Sequence, residues 1–258
     1  MKKSLLAAAA ILAAQAPVHA LVGIGVSGGL NTTSISAKDD KLTGADLPSY
    51  FSQASGTPSL TLHREKVDNL TQVGVKAWLE LPLLPIEFEV GTNLAWGNYA
   101  SSLVYNDGTK NTTIPVDVPS PLVGFGDKSG STPYASLLTD LTIRYPLIEL
   151  PPVLNTLKIY VGAGVTHVMA TRVIDRKDLQ STFGSGKFSN NPDEATNMVK
   201  DNLLQSTFGG HLSVGAQVKI PVIPIALYAD GKWYMNSAIS DAASKYPFTV
   251  TAGLGFAL

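Results

Sequence analysis

Cysteine is absent and charge is scarce: Asp, Glu, Lys and Arg make up 15% of the 258 residues, against about 25% in soluble domains. Without cysteine there is no disulfide framework, thiolate metal site or thiol nucleophile. Neither sign dominates, since 19 basic residues against 20 acidic ones leave a formal net charge of -1. That balance excludes nucleic-acid binding driven by a basic excess. An apolar content of 45% argues against wholesale disorder. No stretch reaches the roughly 18 uninterrupted apolar residues of a membrane helix. A glycine-rich phosphate loop is also missing. His63, His167 and His211 show neither HxxxH nor HxH spacing, so neither a metal nor a cofactor is expected.

What is present begins with a leader. Lys2 and Lys3 precede an apolar run from Leu5 to Ala14, and Val18-His19-Ala20 ends on a small residue. This is the pattern of a secretory signal peptide over 1–20. Residues 21–258 are then expected to form one exported domain without a helical anchor.

Three similar units follow, at 73–96, 138–168 and 211–235. Each alternates apolar and polar residues, breaks at a proline-bounded knot and alternates again. Proline cannot donate to a ladder, so it belongs at strand ends. The units predict three antiparallel hairpins, with one more strand at each end, 21–29 and 248–258. Eight strands result, with both termini on the side of the short turns.

Successive side chains on a strand point to opposite faces. One face carries only apolar side chains, among them Ile24, Val75, Val90, Leu141, Val161, Val214, Leu227 and Leu254. The other face holds every strand charge found: Lys76, Glu80, Glu87, Glu89, Asp140, Arg144, Lys158, Lys219, Asp230 and Lys232. A soluble sandwich or lipocalin-like barrel would bury the apolar face; a membrane barrel turns it to lipid and the polar face inward. Three features favour the second arrangement. Aromatics cluster near strand ends, Phe88, Tyr145 and Phe256 on the short-turn side and Trp96, Trp233 and Phe248 on the other, as in two interfacial girdles. The turns are short at one end and the connections long at the other. The charges of the polar face balance, as a closed interior requires. The fold expected is therefore all-β, a closed antiparallel up-and-down transmembrane β-barrel of eight strands, with short periplasmic turns and long extracellular loops.

On this pattern the chain resembles the small eight-stranded outer-membrane barrels of the OmpA/OmpX/OmpW type. The resemblance implies outer-membrane lipid, including lipopolysaccharide, as surroundings, and a monomer. It also implies barrel-assembly machinery that reads a last strand closing on an aromatic. Phe248, Val250, Ala252, Leu254 and Phe256 fit that strand, although the final residue is Leu258.

Eight strands enclose a lumen that side chains can fill. Lys76 and Glu80 are expected to meet Glu87 and Glu89 across the first turn. Arg144 and Lys158 need Asp140 or acids from elsewhere, and Lys219 is placed near Asp230 and Lys232. A salt-bridged plug is expected; a gated polar channel for small solutes is the alternative. The segments at about 31–68, 98–135, 172–209 and 236–246 read as long loops, to which a structural or recognition role falls. The third holds helix-start chemistry at Asn191-Pro192-Asp193-Glu194. It also holds a repeat, Leu179 to Gly184 and Leu204 to Gly209, which is either a strand pair or a local duplication.

One enzymatic pattern stands out. His211 and Ser213 share a strand face, so the imidazole could serve the hydroxyl as a base. The pair resembles the His-x-Ser arrangement of lipid A deacylase barrels, but parity turns it inward and Ile225 stands where that family has a Glu. Asp230 would be the third member of such an ester or lipid hydrolase.

Overall fold

The computed structural model describes residues 22–47, 56–81, 84–115, 131–150, 156–171, 173, 204–220, 223–236 and 246–257. The expected leader, the helix-start signal at Asn191 and the first repeat copy at 179–184 lie outside the described residues. Eleven strands are described: β1 (Val22–Asn31), β2 (Lys38–Thr43), β3 (Ser59–Arg64), β4 (Leu70–Glu80), β5 (Glu87–Asn106), β6 (Asn111–Pro115), β7 (Ser131–Glu149), β8 (Thr156–Thr171), β9 (Leu204–Lys219), β10 (Ile225–Asn236) and β11 (Phe248–Ala257).

Eight of them close into an antiparallel up-and-down barrel. The order β5-β4-β1-β11-β10-β9-β8-β7 returns to its start through the β5–β7 pairing. The short connections stand at one end, where Glu80 pairs with Glu87, Glu149 with Lys158 and Lys219 with Ala226. Gly23 pairs with Ala257 at that same end, so both described termini lie with the short turns.

The barrel strands run from 10 to 20 residues, and five of them, β5, β7, β8, β9 and β10, exceed the roughly 9–11 that span a bilayer. Much of what reads as loop in the sequence is therefore strand. β5 continues to Asn106, β7 begins at Ser131, and the second repeat copy, Leu204 to Gly209, opens β9. Beyond the rim, β3 and β6 flank the upper part of β5, and β2 adds to β3. The resulting small outer sheet has its own apolar cluster of Leu42, Leu47, Leu60 and Leu62. Its hairpin tip turns at Gly108, whose φ of 96° suits a residue without Cβ.

Prolines sit mostly at strand ends, as expected. Pro146 instead lies within β7, at a register shift between Pro146 and Ile148. A bulge is where a strand tolerates a missing N–H.

The alternation holds on all eight barrel strands. Ile24, Val75, Val165 and Leu254 face out and are 61%, 59%, 59% and 56% exposed, while Glu89, Asp140 and Arg144 face in and are nearly sealed. The aromatics Tyr145, Phe256, Trp233 and Phe248 are exposed on the outer surface, and Phe88 and Trp96 are half-buried there.

Candidate functional site

Two regions carry polar chemistry: the lumen, and the outer sheet at the long-loop end. In the lumen all ten strand charges are paired, in two tiers of equal and opposite charge.

The tier nearest the short turns joins Lys158 and Lys219 to Glu80 and Glu87. Glu80 and Glu87 stand directly opposite each other on β4 and β5, an arrangement of like charges that is unfavourable alone. Two lysines from the far wall resolve it. Lys158 pairs with Glu87 and lies 3.6 Å from Glu80; Lys219 pairs with Glu80. The expectation that Lys219 meets Asp230 and Lys232 is therefore corrected. Asp230 faces Gly215, four residues up β9 from Lys219, or about 13 Å at the rise of a strand.

The second tier centres on Glu89. Lys76 lies 3.3 Å from it, Lys232 3.0 Å, and Arg144 is in direct contact. Asp230 takes Lys76 at 2.5 Å and Arg144 at 3.6 Å, and accepts a hydrogen bond from the Tyr160 hydroxyl. Asp140 accepts from Lys232, Tyr234 and Thr166, each at 2.9 Å. The Arg144 guanidinium also stacks over Tyr160, 4.3 Å from its centroid. The expected Lys76–Glu89 approach is thus present. Arg144 finds its acids in Glu89 and Asp230 and leaves Asp140 to Lys232.

His211 and Ser213 face the lumen, as parity requires, and both are buried. The alternative hydrolase relay is not assembled. His211 Nδ1 meets Thr166 at 2.7 Å and Nε2 meets Thr142 at 2.8 Å. Thr166 gives its one proton to Asp140, so it accepts from His211 Nδ1–H. In the neutral ring Nε2 is then the acceptor for the Thr142 hydroxyl. Both ring nitrogens are committed, Asp230 is held elsewhere, and Ser213 Oγ has no hydrogen-bond partner among the described residues.

Little space remains. A cavity beside Gln72, Lys76, Asn93, Asp230 and Lys232 measures about 10 Å³, at the lower limit for one water. Above the ionic tiers Leu70, Tyr99, Tyr134, Leu138, Val168 and Tyr234 point inward and form one buried apolar cluster, with Ser101, Thr132 and Ser136 buried on the same inward faces. Ile35 and Val67 complete it from the first long segment, paired as an isolated bridge. Asn31 bends the chain into the mouth. Its Oδ1 accepts the Thr33 N–H at 2.8 Å, and its amide reaches Gln72 at 3.2 Å. Sequence reasoning missed this stopper, because two isolated apolar residues in a polar segment carry no periodicity.

The outer sheet presents a polar face. Asp39, Lys41 and His63 are exposed on it, and His63 Nδ1 lies 2.5 Å from Asp39 Oδ1. At the tip of its β5–β6 hairpin the Asp107 carboxylate accepts from the N–H of Thr109 and Lys110 and from the Thr109 hydroxyl. The Thr109 hydroxyl, then the two backbone groups, hold the Asp107 carboxyl below its ordinary value of 3.8.

No family model matches the chain, and no curated protein matches it. Among solved structures the chain is similar to Neisserial surface protein A, with 10% identity and a TM-score of 0.46, covering 92% of this chain and 97% of that one. It is also similar to Ail, the attachment invasion locus protein of Yersinia pestis, with 10% identity and a TM-score of 0.38 over 92% and 99% of the two chains. The N-terminal β-barrel domain of OprF from Pseudomonas aeruginosa aligns with 12% identity and a TM-score of 0.32, over 90% of this chain and 97% of that one.

Proposed function

We propose that this chain is an integral outer-membrane β-barrel protein. Its lumen is sealed, and its long-loop end faces the exterior in a structural or surface-recognition role. The carrying observation is the inversion of the barrel: a continuous outer belt of exposed Val, Ile, Leu and Phe around an interior of paired charges. In water such a belt would far exceed the few hundred Å² of contiguous apolar surface that a monomer exposes. In lipid it becomes the anchoring surface, and the aromatics at its two margins occupy the interfaces.

The surroundings that follow are outer-membrane lipid, lipopolysaccharide among it, with the protein inserted as a monomer. Assembly would proceed through recognition of β11, whose outward residues end on Phe256. Recognition is assigned to the outer sheet because it stands clear of the belt and carries exposed polar and charged side chains.

The test is migration of heated against unheated protein in detergent gels, combined with cell fractionation. A faster unheated band and recovery with the outer membrane are expected. A soluble chain without a heat shift overturns the reading.

A further inference from the structure

The pairing of β1 with β11 joins the first and last described strands, so it closes the longest loop in the chain and is the costliest to form. Its inner face is almost bare. Gly23 and Gly25 of β1 and Gly253 and Gly255 of β11 line it, with Gly25 directly opposite Gly255. Two large rings lie over this floor, one from each flanking strand. Trp78 stands opposite Gly23 on β4, and Tyr228 opposite Gly253 on β10.

Each ring also reaches across the junction. A Cβ built on Gly255 would lie 2.5 Å from Trp78, and one on Gly25 would lie 2.8 Å from Tyr228. The same construction on Gly23 meets Trp78, and on Gly253 it meets Tyr228 at 2.6 Å. The rings meet edge to face, with centroids 6.2 Å apart at 70°. Lys76 Nζ caps Tyr228 from 3.4 Å and ties it to Asp230.

We propose that Trp78 and Tyr228 form a clasp that holds the β1–β11 seam shut from inside. Each ring's seat has one half on β1 and the other on β11, so neither seat exists until the seam closes. The four glycines are the sockets. A side chain at Gly23, Gly25 or Gly255 would push a ring out, and one at Gly253 would meet the Val26 carbonyl as well as Tyr228.

The experiment is amide hydrogen exchange on the full chain refolded in detergent micelles. Trp78→Ala and Tyr228→Ala should each speed exchange in β1 and β11 by about tenfold or more relative to β7 and β8. Tyr134→Ala is the control, because Tyr134 is a buried ring of β7 in the apolar cluster, away from the seam and from Asp230; it should leave the seam no faster than the other strands. Val26 and Leu254 face each other across the seam on the outer side. Val26→Cys with Leu254→Cys, added to Trp78→Ala and oxidised, should return β1 and β11 to wild-type protection. Uniform acceleration over all strands, or acceleration that the cross-link does not reverse, overturns the clasp. If Trp78→Ala does not refold, Gly23→Ala carries the same comparison, since the nearest atoms to its methyl all belong to the Trp78 ring, which it displaces without removing.

Discussion

Glu89 takes three cations at once, Lys76, Arg144 and Lys232, and is fully buried. Glu89→Gln keeps the shape and leaves the second tier with one uncompensated positive charge. Breaking a buried pair from one side costs about 3–5 kcal/mol, so the midpoint of urea unfolding in micelles should fall sharply. Lys219→Met should cost far less: Lys219 lies near the rim, and Glu80 keeps Lys158. Equal losses from the two variants would mean that Lys219 is as poorly compensated near the rim as Glu89 is in the centre. Asp107 is the residue where pH should be felt. Its folded carboxyl sits below the ordinary value, so its hydrogen bonds order the tip at neutral pH. That order is lost as pH falls through the lowered value. Protection of the Thr109 and Lys110 amides, taken relative to the intrinsic exchange rate at each pH, should fall on acidification, and Asp107→Ala should remove the dependence.

Elements differ in how far the sequence announces them. The inside-out alternation is legible because an apolar outer belt and a polar lumen impose a period of two along every barrel strand, and the positions read as inward and outward agree with the structure. Strand ends are not legible where the barrel rises past its apolar belt. In upper β5 the inward residues include Tyr99 and Ser101, and the outward contrast fades. Ion-pair partners are not legible either. Lys76 and Asp230 meet from positions 154 residues apart, because strand stagger around the barrel decides which side chains share a level. The stopper made by Ile35 and Val67 is an element in this sense, a long-range bridge rather than a motif. Ile35→Asp would set a carboxylate among Tyr99, Tyr134 and Val67. The expected cost is local, about 2–5 kcal/mol, because no ionic pair depends on Ile35. Limited proteolysis should cut the 32–69 segment faster, while the heat shift of the barrel persists. Loss of that shift would place the stopper in the barrel's own stability.

For the whole molecule, two seals lie in series: an apolar stopper at the long-loop end, and below it two ionic tiers, the cavity beside the second having room for about one water. Conduction would require both to yield. Opening the ionic tiers would separate charges that lie within about 3–4 Å of each other in a medium of low polarizability, where the interaction is far stronger than in water. Planar bilayer recordings of the wild-type barrel should therefore show no steady, reproducible conductance steps. The informative case is Ile35→Asp, in which the stopper is loosened and the tiers are intact. It too should stay silent, because a wetted mouth still ends on Glu89 and its three cations. Steps from Ile35→Asp alone would assign the seal to the stopper and leave the charges as the lining of a channel. Steps from Glu89→Gln alone would assign it to the tiers.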